Sequence, residues 1–168
     1  RLGVFVLIVL PGGTGDDVLL GGDGNDSYFI DSLGDITIDS SGFDTIYTTL
    51  AIAPRAGFEK IVLLGTANLK LSGGTGKDNL TGNDGNNVLA GGRGKDTLTG
   101  GLGADDFDFN SLKDTGKTAG TRDVITDFKR GVDDIDLNGI DANTKKSGNQ
   151  AFKFIGKVQF HKDEAELH

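Results

Sequence analysis

A nine-residue period governs the stretch GGTGKDNLTGNDGNNVLAGGRGKDTLTGGLGADDFD, which runs from Gly73 to Asp108. Its rows begin at residues 73, 82, 91 and 100, and each has glycine at the first and fourth positions and aspartate or asparagine at the sixth. Four further rows with the same spacing fill residues 12–47. Because a fixed period of this kind marks a stack of equivalent units, the chain is predicted to be a repeat solenoid.

The eighth position of the rows is hydrophobic with one exception, Thr37, in a chain that is only 36% hydrophobic. Residues 55–63 and 64–72 keep the nine-residue spacing without the glycine-rich turn, and 48–54 breaks the phase. A six-residue turn with glycines at positive φ, followed by a three-residue strand, predicts an all-β, right-handed β-solenoid with two rows per circuit. The position-eight side chains then point inward and form the core; they are Leu19, Tyr28, Ile46, Val62, Leu71, Leu80, Leu89, Leu98 and Phe107.

The overall composition favours a bound cation. The 168 residues carry 25 acids against 17 Lys and Arg, a net charge of −8, which argues against nucleic acid as a partner. The chain has no Cys, so thiolate metal sites and disulfides are excluded and a metal must be held by oxygen atoms. The apolar run Leu2–Leu10 is too short to span a membrane and is predicted to be a core strand, with a signal-peptide remnant as the alternative.

Stacked turns supply the oxygen atoms that calcium prefers. With two rows per circuit, every second turn lies on the same side at the strand spacing of about 4.8 Å. A calcium ion between two such turns can reach both, since its oxygen ligands lie at about 2.3 to 2.6 Å, whereas magnesium fits poorly. Without the ion, the carboxylates form columns of like charge that oppose stacking.

This rule predicts several calcium ions between paired turns. The pairs are Asp78 with Asp96, Asn87 with Asp105, Asp17 with Asp35, and Asp26 with Asp44. The rows that begin at Ile30 and Asp39 lack the leading glycines, so the sites at Asp35 and Asp44 are expected to be weaker or empty. The full set of predicted metal-site residues is Gly13, Gly15, Asp17, Gly22, Gly24, Asp26, Asp35, Asp44, Gly74, Gly76, Asp78, Asn83, Gly85, Asn87, Gly92, Gly94, Asp96, Gly101, Gly103 and Asp105.

The rows match GGxGxDxUx, with U a large aliphatic residue, and so resemble the RTX, or haemolysin-type calcium-binding, repeats of bacterial proteins. The resemblance implies a parallel β-roll, type I secretion, and folding in calcium outside the cell. The segment Gly103–Ala142 resembles the region after the repeats in serralysin-type metalloproteases, which closes the roll and leads towards a C-terminal secretion signal. The matching residues are Asp123–Phe128 and Gly131–Leu137, and Phe154–Gly156 and Ala165–Leu167 are similar to what comes next in that family.

The predicted organisation has five segments. Residues 1–11 form an N-terminal apolar strand or fragment edge, 12–47 and 73–108 are two repeat blocks, 48–72 are degenerate solenoid rows, and 109–168 are a β-rich capping and secretion-related region. Because the chain opens at Arg1 without Met, we interpret it as a piece of a longer protein. The end of the roll is expected to be closed by an apolar plug of Phe107, Phe109, Ile125, Phe128 and Ile135.

The predicted function is that of a calcium-binding module of a secreted, extracellular protein, which carries or stabilises an attached passenger. No catalysis is expected of this chain, because its two histidines, His161 and His168, form no HExxH motif. Two alternatives stay open. The chain could be the C-terminal part of a secreted enzyme, such as a serralysin-type protease, a lipase or an alginate epimerase, or a module that binds a polysaccharide or a host surface.

Overall fold

The computed structural model describes residues 9–53, 57–116, 118 and 120–140, together with the backbone of two short strands, Lys153–Phe154 and Glu166–Leu167. The predictions made for residues 1–8, for most of 141–168 and for His161 and His168 lie outside these residues. All regular structure in the described part is β-strand. Across the same residues, no helix combines the length and apolar character that crossing a membrane requires.

Short strands follow one another at the spacing of the rows. In chain order they are β1 (Val9–Pro11), β2 (Val18–Asp23), β3 (Ser27–Ile30), β4 (Ile36–Ser41), β5 (Thr45–Thr48), β6 (Lys60–Leu63), β7 (Lys70–Ser72), β8 (Thr75–Gly76), β9 (Asn79–Thr81), β10 (Val88–Ala90), β11 (Arg93–Gly94), β12 (Thr97–Thr99), β13 (Asp106–Asp108), β14 (Val124–Ile125), β15 (Asp134–Asp136), β16 (Lys153–Phe154) and β17 (Glu166–Leu167).

The strands form parallel sheets. One face is a seven-stranded sheet in the order β1-β3-β5-β6-β9-β12-β14, and the other carries β15-β13-β10-β7 and, nearer the N-terminus, β2-β4. Ser27 pairs with Thr45 and Asn79 with Thr97, so partners in neighbouring layers are two nonapeptides apart. The predicted parallel β-solenoid with two rows per circuit is therefore confirmed.

The core is a ladder of side chains from both faces. Leu80 and Leu98 from the seven-stranded sheet and Leu71, Leu89 and Phe107 from the opposite one belong to a single buried cluster. Leu19, Tyr28 and Ile46 are buried in the same cluster, as the period predicted, whereas Thr37 is half-buried. One inward side chain per row is enough here because each layer rests on the next.

The assignment of Val62 to the core ladder is wrong. Ile61, not Val62, pairs with Ile46 and with Leu80, and Ile61 is buried while Val62 is half-buried. Val62 aligns instead with Tyr47 and Thr81, which occupy the outward ninth position of their rows. The segment before β6 lacks the glycine-rich turn and closes its circuit in fewer residues, so the nine-residue count does not apply across it.

The solenoid continues past the last repeat. β14 adds to β12 and β15 adds to β13 in parallel register, which places two post-repeat strands in the two sheets. Phe107 is fully buried and Phe109 and Ile125 pack against the core, but Phe128 is 42% exposed and Ile135 48% exposed. Phe128 contacts the Phe107 ring and Ile135 pairs with Phe107, so both lie at this end of the core, but neither side chain is buried as a plug would be.

Candidate metal sites between stacked turns

The turns of the repeats lie directly on one another. A Cβ built on Gly92 or on Gly103 would collide with the carbonyl group of Gly74 or of Gly85, one circuit earlier. Gly94 shows the demand most clearly, because its φ is 141° and a Cβ there would also strike the carbonyl oxygen of Gly76. Glycine is required at this position by both the backbone conformation and the close approach. The contact also places a carbonyl oxygen of the earlier turn directly against the later turn.

The structure brings together all four predicted pairs of position-six residues. In each pair, the backbone N–H of the earlier residue donates to the side-chain Oδ1 of the later one. The N···O distances are 3.0 Å for Asp17 and Asp35, 2.7 Å for Asp26 and Asp44, 2.9 Å for Asp78 and Asp96, and 2.8 Å for Asn87 and Asp105. These bonds hold each carboxylate against the turn below it.

The turns fall into two groups according to whether the second carboxylate oxygen, Oδ2, of the position-six aspartate has a hydrogen-bond partner. In Asp78 and Asp35 it accepts a backbone N–H from within its own turn, from Gly74 at 2.9 Å and from Ser32 at 3.2 Å. The Oδ2 atoms of Asp17, Asp44, Asp96 and Asp105 are buried and have no hydrogen-bond partner among the described residues.

These Oδ2 atoms lie where a cation would satisfy them. Beside Asp17, Asp96 and Asp105, a Cβ on the first glycine of the same turn would overlap the carboxylate, so glycine leaves room there. A buried carboxylate oxygen without a partner is costly, and pairing it with a cation removes that cost. Carboxylate and carbonyl oxygens are the donors that calcium takes, so the residues present fit this ion.

The electrostatics agree with the geometry. Burial raises the pKa of Asp96 to about 6, and the hydrogen bond from the Asp78 N–H, which lowers the pKa, offsets only part of this effect. Burial likewise raises the pKa of Asp44 to about 6, and the hydrogen bond from the Asp26 N–H lowers it by a smaller amount. The pKa values of Asp105 and Asp123 also rise, burial again being the largest cause. Ionisation of these carboxylates in the metal-free fold therefore costs free energy, which a counter-charge would offset.

One pair of stacked turns is joined by amides. Asn83 donates from Nδ2 to the carbonyl oxygens of Leu64 at 3.2 Å and Ala67 at 3.1 Å. Asn87 donates from Nδ2 to Asn83 Oδ1 at 3.1 Å. Amide N–H groups thus satisfy carbonyl oxygens of the degenerate turn 64–68, below the turn 82–87. On the other side of the same turn, the carboxylate of Asp105 faces Asn87.

The column of carboxylates extends to residues that sequence reasoning did not assign. Asp123 Oδ1 accepts the N–H of Asp96 at 2.8 Å, and Asp133 Oδ1 accepts that of Asp105 at 3.1 Å, 27 and 28 residues further along the chain. Asp127 accepts the N–H groups of Gly100 and Gly101. The signal that could have found two of them is the Asp-x-hydrophobic pattern at Asp123 and Asp133, which repeats that of the rows.

The repeat pattern also did not predict that Glu59 and Asp39 would lie among the carboxylates of the stacked turns. Glu59 Oε2 accepts the N–H of Asp44 at 2.9 Å and so takes the place of a position-six aspartate in the short circuit. Asp39 lies with Asp26 and Asp44 in a group in which one carboxylate oxygen of each residue is within 4.8 Å of the other two. Asp39 stands at the first position of its row, where the repeat has glycine, so the motif gave no reason to select it.

Comparison with known proteins agrees with the geometry. Residues 10–36 and 72–107 match the family model of the RTX calcium-binding nonapeptide repeat, in four copies. The match ends at residue 107 and leaves most of the segment Gly103–Ala142 unmatched, so the resemblance of that segment to the post-repeat region of serralysin-type proteases stays a prediction. No curated protein matches the chain. Residues 10–36 and 72–107 are therefore RTX calcium-binding nonapeptide repeats, and they are stacked within a parallel β-solenoid.

Proposed function

We propose that calcium ions bind between the stacked turns of this solenoid and that their binding drives the chain to fold. The observation that carries the proposal is that the Oδ2 atoms of Asp17, Asp44, Asp96 and Asp105 are buried and have no hydrogen-bond partner in the described part of the chain, each in a turn stacked on another. The proposed ligands are the position-six side chains and turn carbonyls predicted from the period. Asp123 joins them, because its Oδ2 is also buried without a partner among the described residues.

Calcium stabilises the folded chain through linkage between binding and folding. An ion that binds only the folded chain stabilises it by about 1.4 kcal/mol per site when its free concentration is tenfold above the dissociation constant. Several such sites together approach the roughly 5 to 15 kcal/mol stability of a typical domain. The same carboxylates repel one another in the metal-free chain, so calcium controls a large part of the folding free energy.

We further propose that the chain belongs to a secreted bacterial protein, passes through a type I system unfolded, and folds outside the cell to support an attached passenger. The support is the family, since RTX repeats are typical of secreted bacterial proteins. Low cytosolic calcium would keep the acidic turns apart until export. Fusion of the chain to a reporter, in cells with and without a type I exporter, tests whether the chain reaches the medium.

Circular dichroism with added calcium tests the folding step. We expect little β signal in EGTA, a steep and cooperative gain near roughly millimolar calcium, as extracellular modules show, and no gain with magnesium. The double variant Asp78→Ala with Asp96→Ala is expected to raise the calcium midpoint. The matched control is Asp134→Ala, which removes an exposed carboxylate from β15. Equal shifts from the two proteins would contradict the assignment.

A further inference from the structure

The row that begins in β4 and ends in β5 differs from the regular rows by one added carboxylate, that of Asp39 in β4. Asp39 occupies the first position of its row, where six of the eight rows have glycine. Its carboxylate lies with those of Asp26 and Asp44, and one oxygen from each falls within 4.8 Å of the other two. Asp26 and Asp44 belong to turns stacked on each other. Three carboxylates therefore converge where the repeat motif supplies two.

Burial and hydrogen bonding indicate that this group faces a ligand. Asp44 is fully buried, its Oδ1 accepts the Asp26 N–H at 2.7 Å, and its Oδ2 has no hydrogen-bond partner among the described residues. Tyr28, also fully buried, donates its hydroxyl to Asp39 Oδ1 at 2.8 Å. This bond fixes the Asp39 carboxylate beside the other two. Within the described residues, neither Asp39 nor Asp44 forms an ion pair with Lys or Arg.

We propose that Asp26, Asp39 and Asp44 form a three-carboxylate cation site in which Asp39 replaces the leading glycine of the repeat. The inference rests on the proposed function, because calcium is the ion it assigns to this site. Ligand charge sets calcium affinity, so a site with three carboxylates binds more tightly than one with two. The missing glycines of this row therefore do not make its site weak, in contrast to the expectation from the motif. The site is loaded first as calcium rises.

Tyr28 makes this site distinguishable from the others by spectroscopy. The chain has two tyrosines, Tyr28 and Tyr47, and no tryptophan. Terbium(III) is a hard cation that takes oxygen ligands, and excited tyrosine transfers energy to it only over short distances. Because the Tyr28 hydroxyl contacts a proposed ligand, terbium in this site receives energy from Tyr28. Tyr47 instead stacks on Phe29, with ring centroids 5.0 Å apart.

The experiment titrates the full chain with terbium and follows tyrosine-sensitised emission, with calcium as competitor. We expect emission to appear at the lowest terbium concentrations. Tyr28→Phe should remove most of it, while Tyr47→Phe keeps it. Asp39→Asn should weaken terbium binding by about 10-fold or more, the loss that follows removal of groups supporting a metal site. The charge-matched control Asp134→Asn should bind terbium like the parent chain.

A second variant tests the proposal independently if Asp39→Asn does not fold. Asp39→Gly restores the first residue of the repeat motif, so it keeps the turn chemistry while it removes the third carboxylate. The proposal requires that Asp39→Gly, like Asp39→Asn, bind terbium more weakly at the Tyr28-sensitised site. Binding by Asp39→Gly that equals or exceeds that of the parent chain overturns the proposal, as does emission that depends on Tyr47 rather than Tyr28.

The outcome for this site is separable from that for the proposed function. If calcium gives the cooperative β signal at the same midpoint in the parent chain and in Asp39→Asn, and terbium binding is equal in both, the folding function stands and the three-carboxylate site is refuted. If calcium produces no β signal in the parent chain, the proposed function itself fails.

Discussion

Replacement of Asp96 by asparagine should have opposite effects on stability with and without calcium. Asp96 is fully buried, and its Oδ1 accepts the Asp78 N–H. Asparagine keeps an oxygen for that bond, has nearly the same volume and carries no charge. The variant therefore removes the buried charge and one proposed ligand oxygen, and leaves the packing of the turn in place.

The size of the metal-free effect follows from the pKa. Burial raises the pKa of Asp96 from 3.8 to about 6 in the folded chain without metal. Between these two values the folded state binds more protons than the unfolded state, so the metal-free fold is stabilised as the pH falls through about 6 and is at its weakest above it. At pH 7 the cost of ionised Asp96 amounts to roughly 3 kcal/mol, which Asp96→Asn relieves.

The assay compares the two chains in EGTA and in calcium at pH 7. In EGTA, a stabilising osmolyte such as trimethylamine N-oxide is added until β structure appears, since osmolytes favour burial. We expect Asp96→Asn to fold at a lower osmolyte concentration than the parent chain. In calcium, urea should unfold the variant first, because it loses a charged ligand worth about 1.4 kcal/mol or more once free calcium is tenfold above the dissociation constant.

The parent chain should also need less osmolyte at pH 5 than at pH 7 in EGTA, and Asp96→Asn should reduce that difference. Asp134→Asn, which removes an exposed charge, should leave both measurements close to those of the parent chain. Destabilisation of Asp96→Asn by the same amount in EGTA and in calcium would refute the reasoning, because it would assign Asp96 a purely structural role.

Three further predictions concern the turns and the core. Gly94→Ala should cost more than about 1 kcal/mol in urea unfolding of the calcium-loaded chain, because a Cβ there is strained and meets the Gly76 carbonyl. The control Gly120→Ala places its Cβ in open space and should be neutral, so similar costs for the two variants would contradict this prediction. Asn83→Ala should destabilise the calcium-loaded chain by about 1 to 3 kcal/mol, because the carbonyl oxygens of Leu64 and Ala67 lose their donor. The number of calcium ions bound in isothermal titration calorimetry should not change. Loss of an ion would show that a metal lies between the turns that Asn83 joins. Leu89→Ala, at a fully buried position, should cost about 2 to 5 kcal/mol in the same urea assay, and a neutral result would reject the core ladder.

The sequence was most informative where the rows are complete. Each complete row combines a six-residue turn and a three-residue strand, so the count alone predicted the two-row circuit and the core positions of Leu80, Leu89 and Leu98. The stacking of every second turn followed from the same count, and it predicted that Asp78 and Asp96 would adjoin each other. These features depend only on local geometry repeated many times.

The remaining features depend on contacts that a period does not encode. The core position of Ile61 depends on how few residues the segment before β6 needs to close its circuit. Asp123 and Asp133 enter the carboxylate columns only after longer circuits. The importance of Asp39 depends on a hydroxyl that reaches it from Tyr28, eleven residues away in sequence and on another strand.

Small-angle X-ray scattering of the chain in EGTA and in calcium tests most directly whether ions between the stacked turns hold this fold together. If calcium drives folding, the radius of gyration should be roughly 40 Å in EGTA, as for an unfolded chain of this length, and should fall to roughly 15 to 20 Å in calcium. The fall should coincide with the gain of β signal and should not occur in magnesium. The same compact profile in EGTA and in calcium would contradict the central claim.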